Sequence, residues 1–137
     1  FDDRFIASGS DNGLLFIFDA ETFAEVRRIE HEARPGVDTV AFDPSSRFIA
    51  SGVGGGTGRM DRNRVYVFEV ATGEEVFRFQ HQWAINNSLC WSPCGNLLAS
   101  ASKDQTVRIH DLSFLKNRRR RAPVVVEVVD DEVEVMQ

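Results

Sequence analysis

The sequence has little cysteine and no long apolar run, and each of these features limits the class of protein to which the chain can belong. Cys90 and Cys94 are its two cysteines, which are too few for a disulfide-stapled scaffold and typical of a reducing compartment. No apolar run approaches the length of a membrane-spanning helix. We therefore expect an intracellular, cytoplasmic protein without a membrane span, with a nuclear or organellar assembly as the alternative location.

An excess of basic residues is also lacking, because the formal net charge is −5. The final segment, Ser113–Gln137, holds five basic and five acidic residues, so the residues before it carry the whole negative charge. A negatively charged surface repels phosphates and disfavours broad binding to nucleic acid. The charge pattern instead favours protein partners.

The chain contains three copies of one pattern, in which small residues, a polar turn and an alternating apolar segment follow one another. FIASG occurs at Phe5–Gly9 and again 43 residues later at Phe48–Gly52, and the similar LLASA follows after another 49 residues at Leu97–Ala101. The stretch Leu98–Asp111 contains the pattern most completely. A repeat of this length, with short strands separated by turns, predicts the blades of a β-propeller.

The repeats resemble WD repeats, the blades of one family of β-propeller proteins, over residues 1–112. An acidic residue ends the third strand of each copy, at Asp19, Glu69 and Asp111. The Trp that precedes this acid in the family is replaced by Phe18, Phe68 and His110. The family's His before a new blade is present at His31 and His81, without the family's Gly. The family's first hairpin is matched by Phe42–Ser51 and Trp91–Ser100.

The resemblance implies an all-β fold of antiparallel, four-stranded blades. Alternation and turn residues predict strands at 4–8, 14–18 and 25–29 in the first blade, at 37–42, 47–52, 64–70 and 75–79 in the second, and at 86–91, 97–101 and 106–110 in the third. These strands divide the chain into a partial blade in residues 1–30, a full blade in 31–80 and a third blade in 81–112.

The chain is too short for a closed ring, since a ring needs at least four blades of about 40 residues. We expect an incomplete ring, a fragment of a larger propeller that begins inside a blade. After the blades we predict a basic linker at 113–123 and a β-prone acidic tail at 124–137. In that tail, Val124–Val129 is a candidate for the missing outer strand of the third blade, and Asp130–Gln137 is expected to be a solvated end.

A glycine-rich insertion, Val53–Arg64, replaces the turn between the second and third strands of the second blade. It has twelve residues, where the first blade has the four residues Ser10–Gly13. Its glycines match neither the P-loop nor the dinucleotide-binding pattern, so no phosphate site is predicted. The alternatives are a solvated loop or a contact surface, whose side chains would be Arg59, Met60 and Arg62.

His81, Ser100 and Asp104 have the residue types of a hydrolase triad. In WD repeats, however, a His, a Ser or Thr and an Asp at these places form hydrogen bonds inside the blade, often ending on the Trp. The resemblance therefore implies a structural network of His81, Ser100, Asp104 and His110, and no catalytic residue is predicted. Cys90 and Cys94 lack the further ligands of a zinc site, so neither a metal nor a cofactor is predicted.

The resulting hypothesis is a non-enzymatic scaffold that holds other proteins in a multisubunit complex and has no small-molecule substrate. Two groups of loops share one rim in this family, which would bring Trp83 near Arg59, Met60 and Arg62 as contact residues. The alternative is a ribonucleoprotein scaffold that contacts RNA through the basic cluster Arg118, Arg119, Arg120 and Arg121. A third possibility, an enzyme for which the blades are an accessory domain, stays open.

Overall fold

In the part of the chain that the structure describes, three antiparallel sheets follow one another. The computed structural model describes residues 3–32, 36–54, 63–80, 88–117, 125–129 and 132–136. The first sheet contains β1 (Phe5–Gly9), β2 (Leu14–Asp19) and β3 (Glu25–Glu30), paired in that order. The second contains β4 (Gly36–Phe42), β5 (Phe48–Gly54), β6 (Arg64–Glu69) and β7 (Glu75–Gln80), again in chain order. The all-β, incomplete-ring architecture predicted from the repeats is confirmed.

The third sheet has five strands. They are β8 (Ser88–Trp91), β9 (Leu97–Ala101), β10 (Val107–Asp111), β11 (Val125–Val129) and β12 (Glu132–Met136), and β8 and β12 form its two edges. Each of the ten predicted strands begins and ends within two residues of the observed one, because period-two alternation and polar turns are local signals. Among the described segments, no helix is long and apolar enough to cross a membrane.

The core lies in two layers between the sheets. Leu15 and Ile17 of the first sheet pack with Ile49 of the second in one layer. Phe48 of the second sheet packs with Leu98 of the third in the other layer. Every residue of β5 is buried, because its alternating side chains meet a sheet on each side. Full burial of one such aliphatic side chain stabilises a fold by about 1.5 to 3 kcal/mol.

One glycine allows the first two sheets to come close together. A Cβ atom added at Gly9 would lie 2.5 Å from Cγ1 and 2.7 Å from the carbonyl oxygen of Val37. Because real Cβ atoms do not approach neighbours so closely, any side chain at this position would push β1 away from β4. The backbone N–H of Val37 also donates to the carbonyl of Ser10 at 3.0 Å, which joins the two sheets at the same place.

The C-terminal part differs from the sequence expectation in two ways. The segment Asp130–Gln137 was expected as a solvated end without a strand, but Glu132–Met136 forms β12 and pairs with β11. The candidate outer strand is confirmed, because β11 pairs with β10. The alternating Glu and Val residues of β12 suit a strand. The expected linker 113–123 also begins too early, because Ser113–Leu115 forms a 3-10 turn and Leu115 is a core residue.

The insertion in the second blade is shorter than expected. Val53 is fully buried and pairs with Arg64 in the ladder between β5 and β6. The predicted range Val53–Arg64 therefore included the ends of both strands, since the ladder continues beyond Gly52, the last residue of the repeated FIASG.

Candidate functional site

A buried histidine and a buried serine are paired in the second blade. His31 precedes β4, Ser51 lies in β5, and the His31 Nε2 atom is 2.7 Å from the Ser51 Oγ atom. On the other side of the ring, Nδ1 is 2.9 Å from the carbonyl oxygen of Gly13. A carbonyl oxygen only accepts, so Nδ1 carries the hydrogen and the Ser51 hydroxyl donates to Nε2. The imidazole thus joins the turn of the first blade to the second blade.

Burial keeps this imidazole neutral. His31 is 2 % exposed and Ser51 is 0 % exposed, and the edges of Tyr66 and Phe68 meet the imidazole at ring-centroid distances of 5.1 and 5.4 Å. Burial lowers the pKa of His31, against smaller opposing effects of the Gly13 hydrogen bond and of the Glu75 charge. A hydroxyl with no exposed surface cannot meet a substrate, so the pair has a structural role.

The structure describes Ser100, Asp104 and His110, three of the four residues predicted to form a network in the third blade. Ser100 and His110 are each 1 % exposed, and the register of β9 and β10 places both on the face that packs against the second sheet. The His110 ring stacks on Phe79 of the second sheet, with centroids 3.5 Å apart. Asp104 accepts the backbone N–H of Thr106 at 2.9 Å in the turn. His81 lies outside the described residues, so the four-residue network stays a prediction.

The acidic residues that end the third strands close the turns that follow. The Asp19 Oδ1 atom accepts the backbone N–H groups of Thr22 at 2.8 Å and of Glu21 at 2.9 Å, and these two hydrogen bonds lower the pKa of Asp19. Asp111 accepts the N–H of Ser113 at 2.9 Å, and its hydrogen bonds with Ser113 lower its pKa in the same way. The retained acid of the repeat therefore has a local role in the turn.

Glu69, the third of these acids, is buried and paired. It is 8 % exposed, its Oε1 atom lies 3.1 Å from the Arg47 guanidinium, and its Oε2 atom accepts the Thr72 hydroxyl at 3.3 Å. The side chain of Glu69 therefore contacts both its own turn, through Thr72, and the residue before β5, Arg47. The sequence indicated the position of this acid but not its partner.

Arg27 links the first blade to the second and was not singled out from the sequence as an inter-blade contact. Its Nε atom donates to the carbonyl oxygen of Val70 at 2.9 Å, and its terminal nitrogens donate to those of Ala71 and Thr72 at 2.7 and 3.3 Å. Arg27 and the residues that it contacts are 43 to 45 positions apart in the sequence. The one available signal was a charged residue on the side of β3 that alternation assigns to the core.

The predicted contact residues lie outside the described residues; they are Arg59, Met60, Arg62, Trp83 and Arg118 to Arg121. We call the edge where β5 ends and β6 begins the upper rim. There the Glu32 carboxylate, just after β3, lies 4.0 Å from the guanidinium of Arg64 and 3.4 Å from that of Arg78. The bases of the two loop groups are thus adjacent, as the resemblance implied.

Metal-binding residue types do not cluster in the described segments. No group of three or more His, Cys, Asp or Glu side chains is arranged there to hold a metal ion. Cys90 and Cys94 are both exposed free thiols.

Sequence comparison agrees with this stacking of repeated sheets. The family profile described as WD domain, G-beta repeat, matches residues 24–60 and 73–111, which together make up more than half of the chain. The two matches cover most of the second and third blades and the end of the first. The chain therefore belongs to the WD-repeat family.

Two curated proteins are similar to the chain over most of its length. Protein HIR2 of Candida albicans is 29% identical over 133 residues, covering 82% of this chain and 12% of its own length. WD repeat-containing protein SL1-17 of Schistosoma mansoni is 27% identical over 111 residues, covering 81% of this chain and 34% of its own length. The chain thus spans 12% of the first relative and about a third of the second. Neither comparison favours the RNA-binding alternative.

Proposed function

We propose that this chain is part of a protein-interaction scaffold whose stacked sheets hold the loops of the upper rim in place for partner proteins of a larger assembly. Membership of the WD-repeat family and similarity to Protein HIR2 support a scaffold. The contact residues would be Trp83, Arg59, Met60 and Arg62, because Trp and Arg contribute most to interface affinity.

The observation that carries the proposal is the full burial of the His31–Ser51 pair. Histidine and serine can perform nucleophilic chemistry, but here His31 and Ser51 are buried between the sheets and join the first blade to the second. A rigid stack costs little further entropy when a partner binds to its rim. The scaffold proposed here therefore acts by binding partner proteins at its rim.

The experiment replaces residues 55–62 with Asn-Gly in the full protein. This pair favours a two-residue hairpin turn and would close the ladder just beyond the Val53–Arg64 pair, leaving β5 and β6 in register. We expect the thermal unfolding midpoint to be retained and recovery of partner proteins by affinity purification to fall. Undiminished recovery of every partner would remove the insertion from the binding surface.

A second set of variants separates side-chain contacts from loop length. Arg59, Met60 and Arg62 are changed together to Ser in an otherwise intact loop, and Trp83 is changed to Ala. The matched control is Phe23→Ala, which removes an aromatic ring that is 72% exposed in the turn between β2 and β3, at the opposite end of the sheets. Equal loss of partners in Trp83→Ala and Phe23→Ala would contradict a contact surface at the upper rim.

A further inference from the structure

A cavity of about 370 Å³ lies between the first and second blades, at the end of the sheets opposite the upper rim. We call this cavity the arginine pocket. Its walls include the apolar side chains of Phe5, Val26 and Val70. Its volume is in the range of sites that hold a small ligand or a few side chains of a peptide.

Among the residues that the structure describes, the charged side chains that line the arginine pocket are Arg4, Arg27 and Arg47. Arg47 is paired with the buried Glu69, and Arg4 lies near the half-buried Asp19, whose pKa it helps to lower. Arg27 donates to neutral carbonyl oxygens, so those contacts leave its positive charge uncompensated. Arg27 therefore gives the described walls of the pocket a positive charge, although the chain as a whole has a net charge of −5.

The corresponding space between the second and third blades is filled. Phe77 has the same place in β7 that Arg27 has in β3, because Phe77 pairs with Val67 of β6 and Arg27 pairs with the equivalent residue of β2, Ile17. Phe77 packs against Phe114 of the 3-10 turn at a centroid distance of 6.1 Å. Leu115 of that turn completes the core there. Among the described residues, an arginine thus has at the first pair of blades the place that an aromatic ring has at the second pair.

We infer that the arginine pocket binds an acidic segment of a partner protein, with a carboxylate at Arg27 and Arg4 and a neighbouring apolar side chain against Phe5, Val26 and Val70. Guanidinium groups bind carboxylates through charge-assisted hydrogen bonds. Apolar walls beside them favour a segment in which acidic and apolar residues alternate, rather than a free inorganic anion. This site is separate from the upper rim and adds a second binding surface to the proposed scaffold.

The test measures binding of a fluorescent peptide of alternating Glu and Val to the full protein by fluorescence anisotropy. The peptide with Gln in place of Glu is the ligand control. Arg4→Gln removes one pocket charge, and Arg28→Gln removes the same charge from the opposite face of the first sheet, where Arg28 lies over Phe16. We expect roughly fivefold to tenfold weaker binding for Arg4→Gln and unchanged binding for Arg28→Gln.

A third variant tests the cavity without changing charge. Ala71 lines the pocket, and Ala71→Leu should reduce peptide binding by filling it, with an unchanged circular dichroism spectrum. This variant also decides the matter if Arg4→Gln fails to fold. Equal weakening by Arg4→Gln and Arg28→Gln, or full binding by Ala71→Leu, would show diffuse charge attraction and overturn the site.

Two further measurements distinguish a carboxylate site from a phosphate site and the arginine pocket from the upper rim. A Ser-Val peptide with phosphoserine in place of each Glu tests phosphate as the anion, and binding of that peptide alone would overturn the carboxylate assignment. The variant with Asn-Gly at 55–62 should bind the Glu-Val peptide normally. Loss of peptide binding in that variant would contradict a separate site, whereas loss of partner recovery alone concerns only the upper rim.

Discussion

The Nε2 atom of His31 lies 2.7 Å from the Oγ atom of Ser51, although the two residues are 20 positions apart in the chain and belong to different segments of the second blade. Nδ1 of the same ring contacts the carbonyl oxygen of Gly13 in the first blade. One imidazole therefore connects two blades. From its two hydrogen bonds and its burial we predict how substitutions and pH change the stability of this protein.

Ser51→Ala should lower the free energy of unfolding by about 1 to 3 kcal/mol, because the Nε2 atom of His31 would lose its donor while staying buried. The matched control is Ser8→Ala, since Ser8 occupies the same place in the other FIASG copy but is exposed. Chemical denaturation of both variants measures the difference. A similar small effect for the two substitutions would contradict a stabilising His31–Ser51 bond.

Stability should decrease as the pH falls below about 6.5, the ordinary value for histidine. The pKa of His31 is lowered mainly by burial in the folded state, so below that pH the unfolded chain binds a proton that the folded chain does not. The stability that neutral His31 contributes is fully present above the pKa of histidine in the unfolded chain. It is lost as the pH falls through the lower pKa of His31 in the folded state. Urea denaturation between pH 7.5 and pH 5.5 measures it.

The control for this pH effect is His31→Gln, which keeps a polar side chain but cannot titrate. The variant should be less stable at pH 7.5 and should show a shallower loss of stability toward pH 5.5. If the two proteins lose stability in parallel over this interval, another group is responsible for the pH dependence.

Arg27→Lys should lower the free energy of unfolding by about 1 to 3 kcal/mol, since the single nitrogen of a lysine cannot reach the three carbonyl oxygens that the three guanidinium nitrogens contact. Arg28→Lys is the matched control, because Arg28 contacts Glu25 on its own strand and such exposed pairs contribute about 0.2 to 1 kcal/mol. Thermal unfolding compares the two variants. An equal effect would show that Arg27 does not hold the blades together.

The 137-residue chain should self-associate in isolation, because apolar side chains lie on the outer faces of its first and third sheets. Ile6 is 46% exposed and Val107 is 42% exposed, and their strand registers place both away from the packed layers. Ile6→Lys with Val107→Lys should shift sedimentation toward monomer, whereas Phe23→Lys in a turn should not. A compact monomer of the unchanged chain would contradict this expectation.

The positions of the strands could be predicted from the sequence because their signals are local. Alternation at FIASG and at LLASA, together with glycine and aspartate in the turns, marks strand ends within a few residues. The 43-residue recurrence further indicated that the strands form similar sheets. The acidic residue at the end of each third strand was visible in the same way, although its hydrogen bonds were not.

Other features depended on the tertiary structure. The contacts of Arg27 with Val70 and of His31 with Gly13 join different blades. Arg27 lines the arginine pocket at the place that Phe77 has between the next two blades. Pairing of β12 with β11 likewise required a sheet edge to receive it. Local periodicity determines which face of a strand is apolar, whereas the atoms that meet this face are determined only when the sheets stack.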